Sequence, residues 1–194
     1  MTAFAMTRNA EGPATVLSYE EVVKLLADAY QFCGPKYQVL FATQFFTAGR
    51  ITEVRLLKVS DIDWKQGKIH FRAANTKTGK ARSVMIAEPL EVLLKPWWEE
   101  QQKAGAEYLF PGRGDKPMTL MAAAKQLYKL ADLRGIRGLS THSFRRSMAT
   151  HLRQVRGWSY EEICHITGHQ SISSLVRYIN IQEAEVMEAF RGGW

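Results

Sequence analysis

Cysteine is scarce in this chain of 194 residues, and its scarcity excludes several classes of protein. The two cysteines, Cys33 and Cys164, stand far apart, and neither belongs to a Cys-x-x-Cys pair. A disulfide-stabilised secreted fold is therefore not expected, and the composition suits a reducing cytoplasm. The adjacent pair Cys164-His165 lacks further ligands at the spacings that zinc sites use, so we expect no bound metal.

Long apolar runs are missing as well. No stretch approaches the roughly 18 consecutive apolar residues of a membrane-spanning helix. The segment from Met1 to Val16 lacks the apolar core of a signal peptide and is expected to be a flexible lead-in. The chain also holds no glycine-rich phosphate loop of the Walker type, so no nucleotide cofactor is expected. These absences favour a soluble cytoplasmic protein without cofactor or membrane contact.

Positive charge, by contrast, is abundant. The formal net charge is +7 and the sequence pI is about 9.5. Such a balance favours a polyanionic partner, although many basic proteins bind no nucleic acid. Basic side chains are expected to line the surface that such a partner would contact, with an ordinary solvated position as the alternative for each. These are Lys58, Lys65, Lys68, Arg72, Lys80, Arg82, Lys125, Lys129, Arg134 and Arg137.

Hydrophobic periodicity predicts a mainly helical protein. The pattern Ser18-Tyr-Glu-Glu21 is a capping box that opens the first helix. Thr52 is expected to cap a short helix that ends near Lys58, and Pro96 is expected to kink or split its helix. The other predicted helices cover Tyr37–Phe46, Pro89–Lys103, Leu120–Leu133, Thr141–Val155, Ser159–Thr167, Ser171–Asn180 and Gln182–Phe190.

One small antiparallel three-stranded β-sheet is predicted near the start of the chain. Its strands are expected within Asp61–Trp64, Ile69–Phe71 and Val84–Ile86, and its second hairpin turns around Thr78-Gly79. The predicted fold class is therefore mainly α with one inserted sheet.

The densest chemical signal lies near the C-terminus. His142 and Arg145 stand three residues apart near a predicted helix start, hence on one helix face. Gly168-His169 follows, and Tyr178 comes nine residues after that histidine. Each feature alone is weak, because His-x-x-Arg arises by chance and a single tyrosine is more often part of a core or surface. Together, the segment from His142 to Tyr178 resembles the second signature block of the tyrosine recombinase (phage integrase) family.

The first signature block of that family is matched too. Arg50 is followed three residues later by Glu53, and the stretch closes with Ser60-Asp-Ile-Asp63. Lys77 stands where the family has the lysine of a β-hairpin. Gly49, before the arginine, departs from the pattern, since the family usually has a larger apolar residue there after a glycine. The resemblance runs from about Leu17 to Tyr178 and implies the catalytic-domain fold of a tyrosine recombinase.

The chemistry of these residues fits the implied activity, which is DNA cleavage and rejoining through a 3′-phosphotyrosine intermediate, in integration, excision or inversion. Arg50 and Arg145 offer rigid, permanently charged donor forks for the scissile phosphate. Tyr178 is the candidate nucleophile; its free pKa is about 10, so its proton must leave as the bond forms. His142 is the candidate acceptor of that proton.

Other candidates serve the leaving group and the phosphate. Lys77 is expected to protonate the departing 5′ oxygen, with Lys80 in the same turn as its competitor. His169 is expected to hydrogen-bond the phosphate, and Glu53 to brace the arginine cluster.

The resemblance also sets expectations for domains and assembly. Residues 17–194 are expected to form the catalytic domain with a C-terminal helix that packs on a neighbouring protomer or on its own domain. We expect no N-terminal core-binding domain before residue 17. On that expectation, the chain is either an excised fragment or a short recombinase like the fimbrial-switch inverting enzymes. Four protomers on two duplexes are implied. The alternatives are relaxation of DNA in the manner of a type IB topoisomerase and a non-catalytic DNA-binding module.

Overall fold

The computed structural model describes residues 14–114 and 116–179. Within them the chain forms eight α-helices and one sheet of three strands. The elements in chain order are α1 (Tyr19–Cys33), α2 (Pro35–Phe46), α3 (Ile51–Val54), β1 (Ile62–Asp63), β2 (Lys68–Phe71), β3 (Arg82–Met85), α4 (Glu88–Lys103), α5 (Leu120–Arg134), α6 (Ser143–Gln154), α7 (Tyr160–Thr167) and α8 (Ile172–Ile179). The predicted fold class is confirmed. The predicted helix Gln182–Phe190 lies outside the described residues.

The first helix forms as its sequence predicts. The Ser18 hydroxyl accepts the N–H of Glu21, and the Glu21 carboxylate accepts the N–H of Ser18, so the capping box is complete. The apolar positions of α1 are buried against α2. Helix α2 begins earlier than predicted, at Pro35, because the fixed φ of proline suits the first turn of a helix.

The predicted cap and end of α3 are wrong, and so is a split of the helix at Pro96. Arg50, rather than Thr52, caps α3, and its backbone N–H is accepted by the Glu53 carboxylate at 3.1 Å. The helix ends at Val54, short of Lys58. Helix α4 runs through Pro96 without a split. Pro96 has no backbone N–H, so the Val92 carbonyl loses its hydrogen bond within the helix. Both residues lie on an exposed face, where water can donate to that carbonyl instead.

The sheet has the order β1-β2-β3, with both pairings antiparallel. Ile62 pairs with Ile69, and Ile69 pairs with Val84, so one face of the sheet is apolar and buried. The turn between β2 and β3 lies where it was predicted. There Gly79 adopts φ +65, and the Thr76 hydroxyl lies 2.9 Å from the Lys80 carbonyl. This closed turn presents Lys77 to solvent.

The core positions helix α6, which carries two of the candidate residues. Phe41 of α2 stacks on Phe144 of α6 with ring centroids 5.4 Å apart, and both side chains are fully buried. A second apolar cluster packs α8 on α6 and α7. Its members are Ala149, Ile163, Leu175 and Ile179. Because Tyr178 lies between two of these buried residues, the packing fixes α8 beside α6.

The segment that precedes α1 is attached to the fold. Arg146 donates from Nη1 to the Ala14 carbonyl at 2.6 Å, and the N–H of Thr15 donates to the Gly138 carbonyl at 3.1 Å. Leu17 is buried in the main core. The folded domain therefore includes Ala14 to Val16, which were predicted as lead-in, whereas residues 1–13 lie outside the described residues.

The described ranges hold neither a membrane-spanning helix nor a cluster of metal ligands. No helix there is long and apolar enough to span a membrane. No three His, Cys, Asp or Glu side chains are grouped there as a metal ion would require.

Candidate active site

Arg145 is the central side chain of the candidate site. It is only 1% exposed, and it is the largest of the fully buried side chains in the described residues. Nη1 donates to the Ala48 carbonyl at 2.7 Å, while Nη2 lies 3.4 Å from Nε2 of His169. The guanidinium carbon also lies 5.9 Å from the ring centroid of Tyr178. Arg145 therefore joins the loop before α3 to the two candidate residues that follow α7.

The loop before α3 explains the unusual glycine. Ala48 adopts φ +46, in the left-handed region where a glycine is ordinarily favoured. Gly49 has no room for a side chain, since a Cβ there would lie 2.7 Å from Cγ2 of Val54 and 2.9 Å from Oγ1 of Thr47. The close approach brings the Ala48 carbonyl to Arg145. The family's larger residue at position 49 would not fit this loop without movement of its neighbours.

Gly49→Ala is expected to lower the free energy of unfolding by about 2–3 kcal/mol, as overpacking of a buried contact does. Equilibrium urea denaturation measures this change. Gly135→Ala is the control. A Cβ at position 135 would meet no atom within 4 Å, so only the backbone φ of +63 disfavours this substitution. That control should lose about 1–2 kcal/mol, the cost of the left-handed backbone alone. Equal or smaller loss for Gly49→Ala would show that the loop adapts and that the steric argument is wrong.

Glu53 lies between two arginines. Its side chain is 1% exposed; Oε1 lies 2.8 Å from Nη1 of Arg50, and Oε2 lies 3.0 Å from Nη2 of Arg82. Burial opposes ionisation of this carboxyl, but the charges of Arg82 and Arg50 and the hydrogen bonds from Arg50 outweigh it and lower its pKa. Glu53 is thus an anion that holds two cations in place.

Arg82 is largely buried within the domain, whereas the sequence-based prediction placed it on a DNA-facing or solvated surface. Its side chain is 11% exposed, and the guanidinium stacks over the Phe71 ring at 4.0 Å. Nε donates to the Ile166 carbonyl at 3.2 Å. Arg82 therefore ties β3, at the end of the Lys77 hairpin, to the α3 start and to the end of α7. The sequence holds one signal of this burial, because the alternation along β3 directs Arg82 inward. In the sheet, Arg82 lies opposite the buried Phe71.

Other predicted surface cations are engaged in contacts within the domain. Arg134 pairs with Asp28, Arg72 with Asp61 and Lys58 with Glu107. Lys129 donates to the Phe32 carbonyl at 2.7 Å. These side chains keep their charges, and contacts within the domain determine where the charges lie.

The site carries more positive than negative charge. The pKa of Arg145 is lowered to about 10, first by burial and then by the charge of Arg50, with a smaller contribution from Arg82. The Glu53 carboxylate opposes this only in part. An anion bound among these arginines would relieve their mutual repulsion, so the electrostatics favour an anionic ligand.

His169 is a neutral base in this environment. Burial and the charges of Arg145, Arg50 and Arg82 lower its pKa to about 3, with weak opposition from Glu53. Its Nδ1 lies 2.6 Å from the Thr167 hydroxyl. Its ring centroid lies 5.2 Å from that of Tyr178. Thr167 was not singled out from the sequence, because a buried threonine at a helix end gives no separate signal.

Tyr178 enters the site from α8. Its hydroxyl donates to the backbone carbonyl of His142 at 3.2 Å. Burial raises the pKa of Tyr178, and the charges of Arg145, Arg146 and Arg50 oppose that rise. The phenol is therefore protonated at neutral pH and needs a proton acceptor before it can attack.

His142 caps α6 at the edge of the site. Its pKa is lowered by burial and by the charges of Arg145, Arg50 and Lys77. The imidazole is consequently neutral at pH 7 and has a lone pair available for a proton. The influence of Lys77 on His142 places the hairpin lysine near this side of the site.

A cleft of about 420 Å³ lies between the hairpin and α7. Lys80 lines it together with Arg50, Arg82 and His169. Direct contacts join Arg50 to Glu53, and others join Arg145 to His169 and Tyr178. Arg50, Glu53 and His169 also line the cleft with Lys80, whereas the charge of Lys77 acts on His142.

Comparison with known proteins finds relatives of this chain. Residues 15–185 match the phage integrase family. The chain is 31% identical over 153 residues to the probable integrase/recombinase YoeC of Bacillus subtilis, covering 78% of this chain and 81% of that protein.

Two solved structures share the fold. One is the XerA recombinase, with a TM-score of 0.79, 21% identity, and coverage of 94% of this chain and 66% of the other. The second is the XerH site-specific recombinase bound to a palindromic difH substrate in a post-cleavage complex. Its TM-score is 0.75 at 25% identity, with coverage of 92% of this chain and 53% of the other. The chain therefore spans about half to two thirds of these recombinases.

Proposed function

The chain belongs to the phage integrase family, and on that premise we propose that it is a site-specific DNA recombinase that cleaves and rejoins DNA through a 3′-phosphotyrosine intermediate. One observation carries this proposal. The Tyr178 ring stands against Arg145 and His169, in a site whose arginine charges exceed its buried carboxylate. A phosphodiester supplies the missing negative charge, and the tyrosine supplies the nucleophile.

In the proposed cleavage step, the Tyr178 oxygen attacks the scissile phosphorus and the bond to the 5′ oxygen breaks. The proton of Tyr178 passes to His142, whose lowered pKa leaves it neutral and able to accept. Lys77 gives a proton to the departing 5′ oxygen, which becomes a hydroxyl. Arg50 and Arg145 bind the non-bridging oxygens, where negative charge grows in the transition state. Attack by the 5′ hydroxyl of a partner strand reverses the step.

The resting position of the tyrosine supports a nucleophile that acts within its own chain. The hydroxyl donates to the His142 carbonyl, and the Arg145 guanidinium also acts on it. Leu175 and Ile179, which hold α8 in its apolar cluster, lie on either side of Tyr178 in the sequence. On this proposal, α8 holds Tyr178 in the site before DNA binds, and DNA binding changes the orientation of the phenol.

Double-stranded DNA is the proposed substrate, and the proposed active assembly is a tetramer on two duplexes. Support comes from the recombinase XerH, whose solved structure contains its DNA site. The proposed location is the cytoplasm, where the free thiols of Cys33 and Cys164 would stay reduced. Whether the reaction integrates, excises or inverts depends on the arrangement of target sites.

A nicked suicide duplex tests the proposal. Its nick lies close to the cleavage site, so the short leaving strand diffuses away after cleavage and the protein stays attached. A denaturing gel is expected to show a band of protein joined to DNA. Absence of this band on every target found by binding selection would identify a non-catalytic DNA-binding module. Adduct together with plasmid relaxation and no exchanged strands would identify the topoisomerase-like alternative.

Arg145→Lys is expected to reduce single-turnover cleavage by about 100-fold, comparable to the loss of one oxyanion donor. Lysine keeps the charge but cannot reach Ala48, His169 and a phosphate together. Arg153→Lys on the same helix is the control, since Arg153 contacts the Trp158 carbonyl and the Tyr160 ring outside the site. Cleavage by the control should stay within about twofold of wild type. A wild-type rate for Arg145→Lys would remove Arg145 from the reaction, and Arg146 would be tested next.

A further inference from the structure

The hydroxyl of Thr167 occupies a position between α7 and the candidate site. Thr167 is the last residue of α7 and is fully buried. Its Oγ1 lies 2.7 Å from the Ile163 carbonyl, one turn earlier, and 2.6 Å from Nδ1 of His169. Gly168 between them adopts φ +70, which turns the chain and brings the imidazole back onto the helix end. One hydroxyl thus contacts both a carbonyl oxygen and a ring nitrogen.

These two contacts determine where the hydrogens lie. A carbonyl oxygen can only accept, so the single hydrogen of the Thr167 hydroxyl points to Ile163. Oγ1 then faces Nδ1 of His169 with a lone pair, and Nδ1 must be the donor. Burial and the charge of Arg145 lower the pKa of His169 to about 3, which favours a neutral ring, and a neutral imidazole carries one N–H. Nε2 is therefore left with its lone pair.

A separate contact on the other side of the ring points to the same tautomer. Nε2 of His169 lies 3.4 Å from Nη2 of Arg145. A guanidinium only donates, so this contact requires a lone pair on Nε2. The hydrogen bonds then run in one direction from Arg145 through His169 and Thr167 to the Ile163 carbonyl. Since Nη1 of Arg145 is held by Ala48, the guanidinium is fixed at both of its terminal nitrogens.

We propose that Thr167 is a positioning residue that fixes His169 in the tautomer protonated at Nδ1, so that Nε2 accepts from Arg145 and orients its guanidinium for a phosphodiester. This inference rests on the proposed function for its phosphodiester, but the tautomer is a property of the free protein. It changes the role expected for His169 from the sequence. A neutral ring held in this way has no proton on Nε2 to donate to a phosphate, so His169 acts through Arg145.

Nitrogen-15 NMR of the uniformly labelled free protein tests the tautomer directly. Long-range proton–nitrogen correlation at pH 7 is expected to show His169 with a protonated Nδ1 and an unprotonated Nε2. The His169→Gln spectrum identifies its signals among the five histidines of the chain. Observation of the opposite tautomer, or of an imidazolium, in the wild-type protein would overturn the inference without any variant of Thr167.

Variants of Thr167 test whether its hydroxyl is the cause. Thr167→Val keeps the shape and removes the hydroxyl, and its spectrum is expected to show a mixture of tautomers. Thr167→Ser keeps the hydroxyl and is expected to restore the wild-type spectrum. Thr43→Val is the matched control, because Thr43 is equally buried and its hydroxyl has no hydrogen-bond partner among the described residues. An unchanged tautomer in Thr167→Val would show that something other than this hydroxyl fixes the ring.

The same variants, assayed on the suicide duplex, connect the tautomer to the reaction. Thr167→Val is expected to slow single-turnover cleavage about tenfold with DNA affinity within twofold of wild type. Thr167→Ser should recover most of the lost rate, and Thr43→Val should lose none. Wild-type cleavage by Thr167→Val would overturn the positioning role. If wild-type protein forms no adduct at all, the proposed function fails, whereas the NMR result still decides the tautomer.

Discussion

Tyr178→Phe is expected to eliminate covalent attachment to the suicide duplex, a loss of at least about 10⁴-fold that brings the adduct below detection. Removal of a catalytic nucleophile leaves no atom to form the bond, so no partial rate survives through the same intermediate. Phenylalanine keeps the ring that stands against Arg145 and His169. The hydrogen bond to the His142 carbonyl and the interaction with Arg145 are lost, so the unfolding free energy should change by about 1–2 kcal/mol.

Tyr160→Phe is the matched control for this loss. Tyr160 starts α7 and stacks under Arg153 at 4.7 Å, outside the cluster around Arg145. We expect adduct formation within about twofold of wild type for this variant. DNA affinity of Tyr178→Phe, measured by fluorescence anisotropy, should equal that of the wild type. Undiminished adduct formation by Tyr178→Phe would rule out this nucleophile, and the role would be sought first at Tyr160.

The sequence predicted the elements whose signals are local. The capping box at Ser18 and Glu21 specifies the start of α1 through contacts three residues apart. The hairpin around Thr78-Gly79 is specified by a glycine that takes positive φ between two apolar strands. Spacing likewise placed Tyr178 and His169 on successive elements, and the structure brings their rings to 5.2 Å. In each case the residues that determine the feature are near one another along the chain.

Features that depend on distant contacts were not predictable in this way. The alternation along β3 directs Arg82 inward, but only its contacts with Glu53 of α3 and the Ile166 carbonyl of α7 give it a place in the site. The hydroxyl of Thr167 acquires a role only because α7 ends where His169 folds back. The left-handed backbone of Ala48 is stabilised by contacts around it, among them the bond from Arg145, which is 97 residues away in sequence. Tertiary packing overrides local preference at these positions.

Thr52 and Pro96 show the opposite error, in which a local rule was applied too strongly. Threonine is a favoured cap, yet the Arg50 position caps α3 because the Glu53 carboxylate reaches back to its backbone. Proline is unfavourable inside a helix, yet α4 continues because its buried side chains hold both halves against the core. Leu90 and Leu94 precede Pro96, and Trp97 follows it directly. The burial of these three side chains outweighs the one missing backbone hydrogen bond.

Lys77→Ala is expected to slow cleavage of ordinary DNA by about 10³-fold, within the range that general acid catalysis contributes. A general acid matters only while the leaving oxygen needs a proton. Replacement of the scissile 5′ oxygen by sulfur gives a thiolate, which departs without one. The variant should therefore cleave the sulfur-substituted strand within a few-fold of the wild-type rate. Rapid-quench kinetics on the two suicide duplexes measures both rates.

Lys80→Ala is the matched control, since it removes the same charge from the same turn. The structure separates the two lysines. The charge of Lys77 acts on His142, beside the hydroxyl of Tyr178, whereas Lys80 lines the cleft with Arg82 and Arg50. If Lys80 contacts the DNA backbone, the cleavage rate of Lys80→Ala should fall by only a modest factor. That factor should be equal on both duplexes, because sulfur does not replace a binding contact. Equal impairment of Lys77→Ala on both duplexes would make it a binding residue. Rescue by sulfur in Lys80→Ala alone would transfer the proton donor to Lys80.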